Sequence, residues 1–270
     1  MVNSTADFEA AYEQIRILYK KYDLFAGKLI KIGIRNKWDY VLSDGDQAGV
    51  AFNFTGDHSV YGPVIDPEKI ADLQQYIGRN LFEFVQALMR EKDIQMRSIC
   101  LAALNALSQP LLERGRLIDR GIQSCEVENY EFIRKDDVIT IVGFGGVYGN
   151  IYDKCKELHI TDMRSINTLQ TIIVDSEVRY GPPNIQFHTA EENEDVISKS
   201  DVVFMTGCTM INGTFENLIH FAQKARVIGM YGPSAAILPE FLFERGINWI
   251  SSDRIMGRYM NEPQFEYFID

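Results

Sequence analysis

The sequence predicts an α/β protein in two parts, an antiparallel α+β unit followed by a doubly wound parallel sheet. Three observations predict it. Residues 5–22 carry apolar side chains at helical spacing, and three short strand-like runs separated by turn residues follow them. From residue 138 onward, short apolar strands alternate with helical stretches, the pattern of a parallel sheet covered on both faces. Between the two patterns, residues 111–135 open with a helical stretch at 111–117 and read as the connection.

The first helix places Phe8, Ala11, Tyr12, Ile15, Leu18 and Tyr19 on one stripe, with Ser4 or Thr5 to cap it. Runs 29–34, 39–42 and 49–53 read as a three-stranded meander, with Asn36-Lys37 and Ser43-Asp44-Gly45-Asp46 as turns. Helices follow at 67–77, 81–90 and 93–107. Pro67 suits a first turn, where its missing N–H costs nothing. The third helix shows Ile99, Ala102, Ala103, Ala106 and Leu107, a small-residue face suited to close packing. The unit ends near Pro110, which gives domains 1–110 and 111–270.

In the second part, strand 138–142 precedes a helix 147–157 and a strand 158–161 that ends at Asp162. Strands at 185–188, 201–205, 226–230 and 248–250 alternate with helices at 191–198, 217–224 and 239–245. Residues 163–184 interrupt the rhythm. Residues 171–174 read as an extra strand, Gly181-Pro182-Pro183 closes the insert, and its role stays open. The apolar end Phe265, Tyr267, Phe268 and Ile269 reads as a docked tail.

Composition excludes several function classes. With 46% hydrophobic residues in 270, the chain buries a substantial core. A formal charge of -11 argues against nucleic acid and against anionic lipid. No apolar run approaches the ~20 residues that span a bilayer, and the first residues lack the pattern of a signal peptide. Cys100, Cys125, Cys155 and Cys208 are widely spaced, as reduced thiols of a cytoplasmic protein are. An oligomer is compatible with all of this.

In a doubly wound sheet, ligands bind beyond the carboxyl ends of the strands, where strand order reverses. If 138–142 is the first strand and 201–205 the fourth, three loops converge there. They are Gly143-Phe144-Gly145-Gly146, the stretch Thr206-Gly207-Cys208-Thr209-Met210-Ile211-Asn212-Gly213-Thr214, and Tyr231-Gly232-Pro233-Ser234. The second presents hydroxyls, a thiol and the start of a helix that Asn212 is placed to cap, a setting for an anion or polar metabolite. Candidate ligand-binding residues are therefore Gly143, Gly145, Gly146, Thr206, Gly207, Cys208, Thr209, Asn212, Gly213, Thr214, Gly232, Pro233 and Ser234.

Cys208 is also the candidate nucleophile, because a thiol at a helix start has a lowered pKa. Cys208 and His58, which lies in a polar loop, are the candidate metal ligands; His159 and His188 read as buried strand residues. There is no Cys-x-x-Cys and no His-x-x-x-His to preform a zinc site. Asp44, Asp46 and Asp57 read as solvated turn acids before they read as a cation cluster. Gly143-x-Gly145-x-x-Tyr148-Gly149 is similar to a dinucleotide fingerprint with its third glycine displaced, with Asp162 at the ribose-binding position. Tyr148 crowds that helix–strand contact, which favours a smaller ligand, or no ligand at this loop, over NAD.

The run Ala102-Ala103-Leu104-Asn105-Ala106-Leu107, the stretch from Thr206 to Thr214, and Gly232-Pro233-Ser234-Ala235 together resemble an uncharacterised family described as "putative heavy-metal chelation". That resemblance covers nearly the whole chain. It implies an enolase N-terminal-like domain followed by a Rossmann-like domain, with the site between them, so that Asn105 approaches the Thr206 loop. It implies a metal ion or metal chelate as the cofactor or cargo. The local ligand spacing suits a metal complex of a small organic ligand better than a bare ion. Three functions follow as hypotheses: binding, with or without processing, of a small anionic metabolite or metal chelate; a nucleotide- or NAD-dependent enzyme using the Gly143–Gly146 loop; and a non-catalytic scaffold for a protein partner.

Overall fold

A computed structural model describes residues 6–34, 37–55, 67–123, 130–164, 184–252 and 267–269. Helix α1 (Ala6–Lys21) begins the chain and buries Phe8, Ala11, Tyr12, Ile15 and Tyr19. Strands β1 (Leu29–Ile34), β2 (Trp38–Ser43) and β3 (Ala48–Phe52) form an antiparallel meander. Helices α2 (Pro67–Leu73), α3 (Leu81–Leu88) and α4 (Ile94–Ser108) follow, and α5 (Arg114–Asp119) begins the connection. Asn80 and Asp93 cap α3 and α4 by accepting bonds from N–H groups of the first turn.

Helix α4 differs from the expected one-sided helix. Every residue from Gln95 to Ser108 is buried. One side lies so close on β3 that a Cβ at Gly49 would come 2.1 Å from the Ala102 carbonyl oxygen. The other meets the second half of the chain. A helix enclosed all round needs a mostly apolar surface with its polar groups paired, and Ala102, Ala103 and Ala106 let its neighbours approach closely. One continuous apolar core therefore runs from Phe8 through α4 to Met205, Met230 and Phe241.

The second half is a six-stranded parallel sheet. Its strands are β4 (Val138–Val142), β5 (Glu157–Asp162), β6 (Ile185–Thr189), β7 (Val202–Thr206), β8 (Val227–Tyr231) and β9 (Trp249–Ser251). The order β6-β5-β4-β7-β8-β9 reverses direction between β4 and β7, so a crevice opens where the doubly wound order requires one. Helices α6 (Tyr148–Ile151), α7 (Asn193–Ile197), α8 (Cys208–Ile211), α9 (Phe215–Phe221) and α10 (Pro239–Phe243) lie between the strands. The backbone of β10 (Tyr267–Ile269) pairs antiparallel with β1.

Two expectations change. The helix expected over 147–157 is the single turn α6. After it the Lys154 N–H bonds to Ile151, and the Lys156 N–H turns to Asp137, which draws the chain into β5. The helix expected after Asn212 is preceded by α8, and Asn212 caps neither: its side chain accepts from the N–H and hydroxyl of Thr214. Asn36, Asp57, His58, Cys125, Phe265 and the insert at 165–183 lie outside the described residues.

Candidate functional site

The three loops at the switch point touch one another. Gly143 has φ +83°, and a Cβ there would come 2.7 Å from the Thr206 methyl. The Tyr231 hydroxyl donates to the Gly143 carbonyl, and a Cβ at Gly145 would come 3.1 Å from the Tyr231 ring. These glycines are thus required by close packing of β4, β7 and β8 ends. Together the loops form one side of a cleft of about 970 Å³.

Gly143, Gly145 and Gly146 line this cleft, as do Thr206, Cys208, Thr209, Asn212 and Thr214 from the second loop and Gly232 and Pro233 from the third. Gly207, Gly213, Asn105 and Ser234 stand behind the lining. A Cβ at Gly207 would lie 2.4 Å from the Ala235 nitrogen, so it is where two loops press together. Gly213 supplies the left-handed turn, φ +74°, that leads into α9. The Asn105 side chain donates to the Val50 carbonyl at 2.8 Å, with longer contacts of 3.4 and 3.5 Å to the Pro233 and Ser234 carbonyls. The Ser234 hydroxyl accepts from the Phe52 N–H at 2.9 Å. Both residues join β3 to the third loop.

The opposite wall comes from the N-terminal half, from residues other than the candidates Asn105 and His58. Lys37, Trp38, Phe52 and Phe54 line it. Trp38 and Phe52 are cross-strand partners with rings edge to face, centroids 5.7 Å apart, and Phe54 meets Phe52 at 5.1 Å. Beneath them, the Gln95 amide donates to Asp39 at 2.6 Å and the Asn53 amide donates to Asp39 at 3.0 Å. The one signal in the sequence was Phe52-x-Phe54 opposite Trp38, legible once the hairpin register is known.

Arg164 was also missed. Its guanidinium binds Asp162 through Nε at 3.0 Å and through a second nitrogen at 2.7 Å. Asp162 further accepts from the N–H groups of Phe144 and Arg164, each at 2.8 Å. Burial pushes the Asp162 carboxyl up, but the Arg164 side chain and these N–H groups outweigh it and hold it below its ordinary range. The carboxylate that a ribose would need is therefore already occupied, tying the glycine loop to Arg164.

Cys208 does not have the lowered pKa expected from its position. Burial pushes its thiol up, against the weaker pull of the Thr206 and Ser234 hydroxyls. Helix α8 has only four residues, too short to contribute a large dipole. The Thr206 hydroxyl donates to the sulfur at 3.2 Å. His159 and His188 lie on neighbouring strands, with ring nitrogens 3.0 Å apart. Among the described residues, no group of three or more His, Cys, Asp or Glu is arranged to hold a metal. A protonated thiol and a carboxylate held by arginine do not fit a bare metal ion bound by protein groups alone. No helix among them is long and apolar enough to cross a membrane.

Two family models, both described as putative heavy-metal chelation, match residues 25–108 (DUF4213) and 128–259 (DUF364). The chain belongs to this family. An uncharacterised protein of Methanocaldococcus jannaschii is 26% identical over 248 residues, 90% of this chain and 83% of the relative. Among solved structures, a DUF364 protein of unknown function from Desulfitobacterium hafniense matches with TM-score 0.59 at 17% identity, over 89% of this chain and 84% of its own. One from Pyrococcus horikoshii matches with TM-score 0.57 at 21% identity, over 90% and 82%. These likenesses show that the family shares the fold.

Proposed function

We propose that the cleft binds a small anionic metabolite, or a metal chelate of one, between a unit ending near residue 110 and the parallel-sheet unit. The observation that carries this reading is the charge of the lining. Lys37 and Arg164, from the two halves of the chain, line the same cleft, with Asp162 as the carboxylate among its described lining residues. Asp162 pairs with Arg164, so these three leave one net positive charge, from Lys37, in a chain that carries -11 as a whole, a setting that favours an anion over a cation. The family description supports a metal as cargo. The donors present support its arrival inside an organic ligand, whose carboxylates the two cations would hold.

Thermal shift decides between the readings, because only a ligand that prefers the folded state raises Tm. Citrate, and cobalt or nickel citrate, raise Tm, and Lys37→Gln reduces the effect. Metal salts without citrate, and NAD, leave Tm unchanged. A rise with NAD that citrate does not reproduce would favour the dinucleotide enzyme. No rise with any citrate complex would refute the proposal.

A further inference from the structure

One end of the cleft holds polar atoms without partners among the described residues. Thr161, on β5, is fully buried, and its hydroxyl has no hydrogen-bond partner among them. The side-chain oxygen of Asn193, at the start of α7, is likewise enclosed and unpartnered among them. Both residues line the cleft. Buried polar atoms are almost always paired, because an unpaired one has lost its water without return.

The neighbours that could serve Thr161 are committed elsewhere. Leu158 and Ile160 face the outer apolar cluster, so alternation puts His159 and Thr161 on the other face. His188 is the register partner of Thr161 on β6. Both of its ring nitrogens are engaged, one with His159 at 3.0 Å and one with Glu192 at 3.1 Å. Glu192 also accepts from the Thr189 N–H at 2.9 Å. Two enclosed oxygens of residues that line the cleft therefore keep acceptor capacity to spare.

We infer that the β5–α7 end of the cleft is a hydrogen-bonding subsite, in which Thr161 and Asn193 read an N–H or O–H edge of a planar, acidic ligand. The inference deepens the proposed cleft and rests on it. Planarity follows from the aromatic lining: Trp38, Phe52 and Phe54 on one wall, Phe144 and Tyr231 on the other. Such rings favour a flat π-system over an aliphatic acid. The acid group belongs at Lys37 and Arg164, and Arg164 is three residues beyond Thr161, just past the end of β5. The ligand class is thus a conjugated ring carrying a carboxylate or phosphate on one side and ring N–H groups on another.

A matched pair of probes tests it on the full chain. Orotate has a carboxylate and two ring N–H donors; 1,3-dimethylorotate keeps the ring and the acid without the donors. Calorimetric titration of the wild type should show orotate about 5–100-fold tighter, the span of two neutral hydrogen bonds. Thr161→Val should cut that preference by about half, weakening orotate and leaving dimethylorotate unchanged, with Tm equal to or above wild type because no protein partner is lost. Asn193→Ala should halve or better the preference and serves as the second variant. Equal binding of both probes, weakened alike by Lys37→Gln and untouched by Thr161→Val, would mean that ordered water alone occupies the subsite; the inference then fails and the cleft reading stands. Orotate binding indifferent to Lys37→Gln, or no saturable binding of either probe, overturns the inference, and the citrate result then decides the cleft reading separately.

Discussion

Replacing Arg97 by methionine removes the group that anchors the second loop from behind. Arg97 rises from α4 and is 3% exposed. Its Nε donates to the Ile211 carbonyl and a second nitrogen to the Met210 carbonyl, both at 2.6 Å. These are the last carbonyls of α8, which a short helix leaves without partners of its own. The guanidinium also lies 4.6 Å from the centroid of the Phe8 ring. Each hydrogen bond to a charged group is worth about 1.5–3 kcal/mol, so the two give roughly 3–6. Against that, burial holds the Arg97 pKa below its usual range, and removing a buried charge returns part of the gain. Methionine keeps most of the volume and a sulfur contact with Phe8. The net loss is about 3 kcal/mol, which at this chain length lowers Tm by roughly 6–12 °C. Calorimetric melting of Arg97→Met at neutral pH measures it. Arg97→Lys, which keeps the charge without the planar fork, should fall between. A Tm within about 2 °C of wild type, less than one kcal/mol on this scale, would show that α8 is held by its apolar residues and that the reasoning is wrong.

Thiol labelling of the folded protein should be slow at pH 7 for Cys208 and for Cys155, whose pKa burial pushes up to about 11, and slowest for the fully buried Cys100; fast labelling of Cys208 at pH 7 would restore it as a nucleophile. Asp7 is buried against Glu216 and Arg245, and burial first, then Glu216, raises its carboxyl from 3.8 to about 6. Its folded pKa lies above its unfolded one, so its stabilisation is full below pH 3.8 and lost as pH rises through about 6. Asp7→Asn should therefore flatten the decline of Tm between those values and melt higher than wild type at pH 7; a lower Tm at pH 7 would contradict this. Gly207→Ala should cost about 1–3 kcal/mol by forcing the second and third loops apart and should weaken citrate binding as well; unchanged melting would mean that the loops yield freely.

The regular parts of the fold were legible because each carries its own period. Strands 29–34 and 138–142 match the observed ends, since short runs rich in Ile and Val and bounded by turn residues admit little else. The strand order followed from the alternation of strands and helices, and it brought three loops to one crevice. The wall facing them was not legible. Lys37, Trp38, Phe52 and Phe54 belong to a hairpin that looks like any half-buried meander until α4 docks it against the second sheet. Cys208 was misjudged because a sequence shows a helix start but not the burial around the sulfur. Thr161 carried no signal at all: nothing in an apolar strand says that one hydroxyl will be left over after its neighbours have paired.

The enclosure of α4 also bears on how the cleft is tuned. The helix touches β2 and β3 on one side and α8 and the Pro233–Ala235 turn on the other, so it works as a spacer between the two walls. Its thickness is a matter of methyl groups: Ala102, Ala103 and Ala106 stand where longer side chains would wedge the sheets apart. The width of the cleft is thereby written in residues that no ligand touches. A relative with serine or valine at one of these alanines would hold a differently sized molecule between identical loops, and its specificity would be decoded from the spine of the molecule, not from the surface of the site.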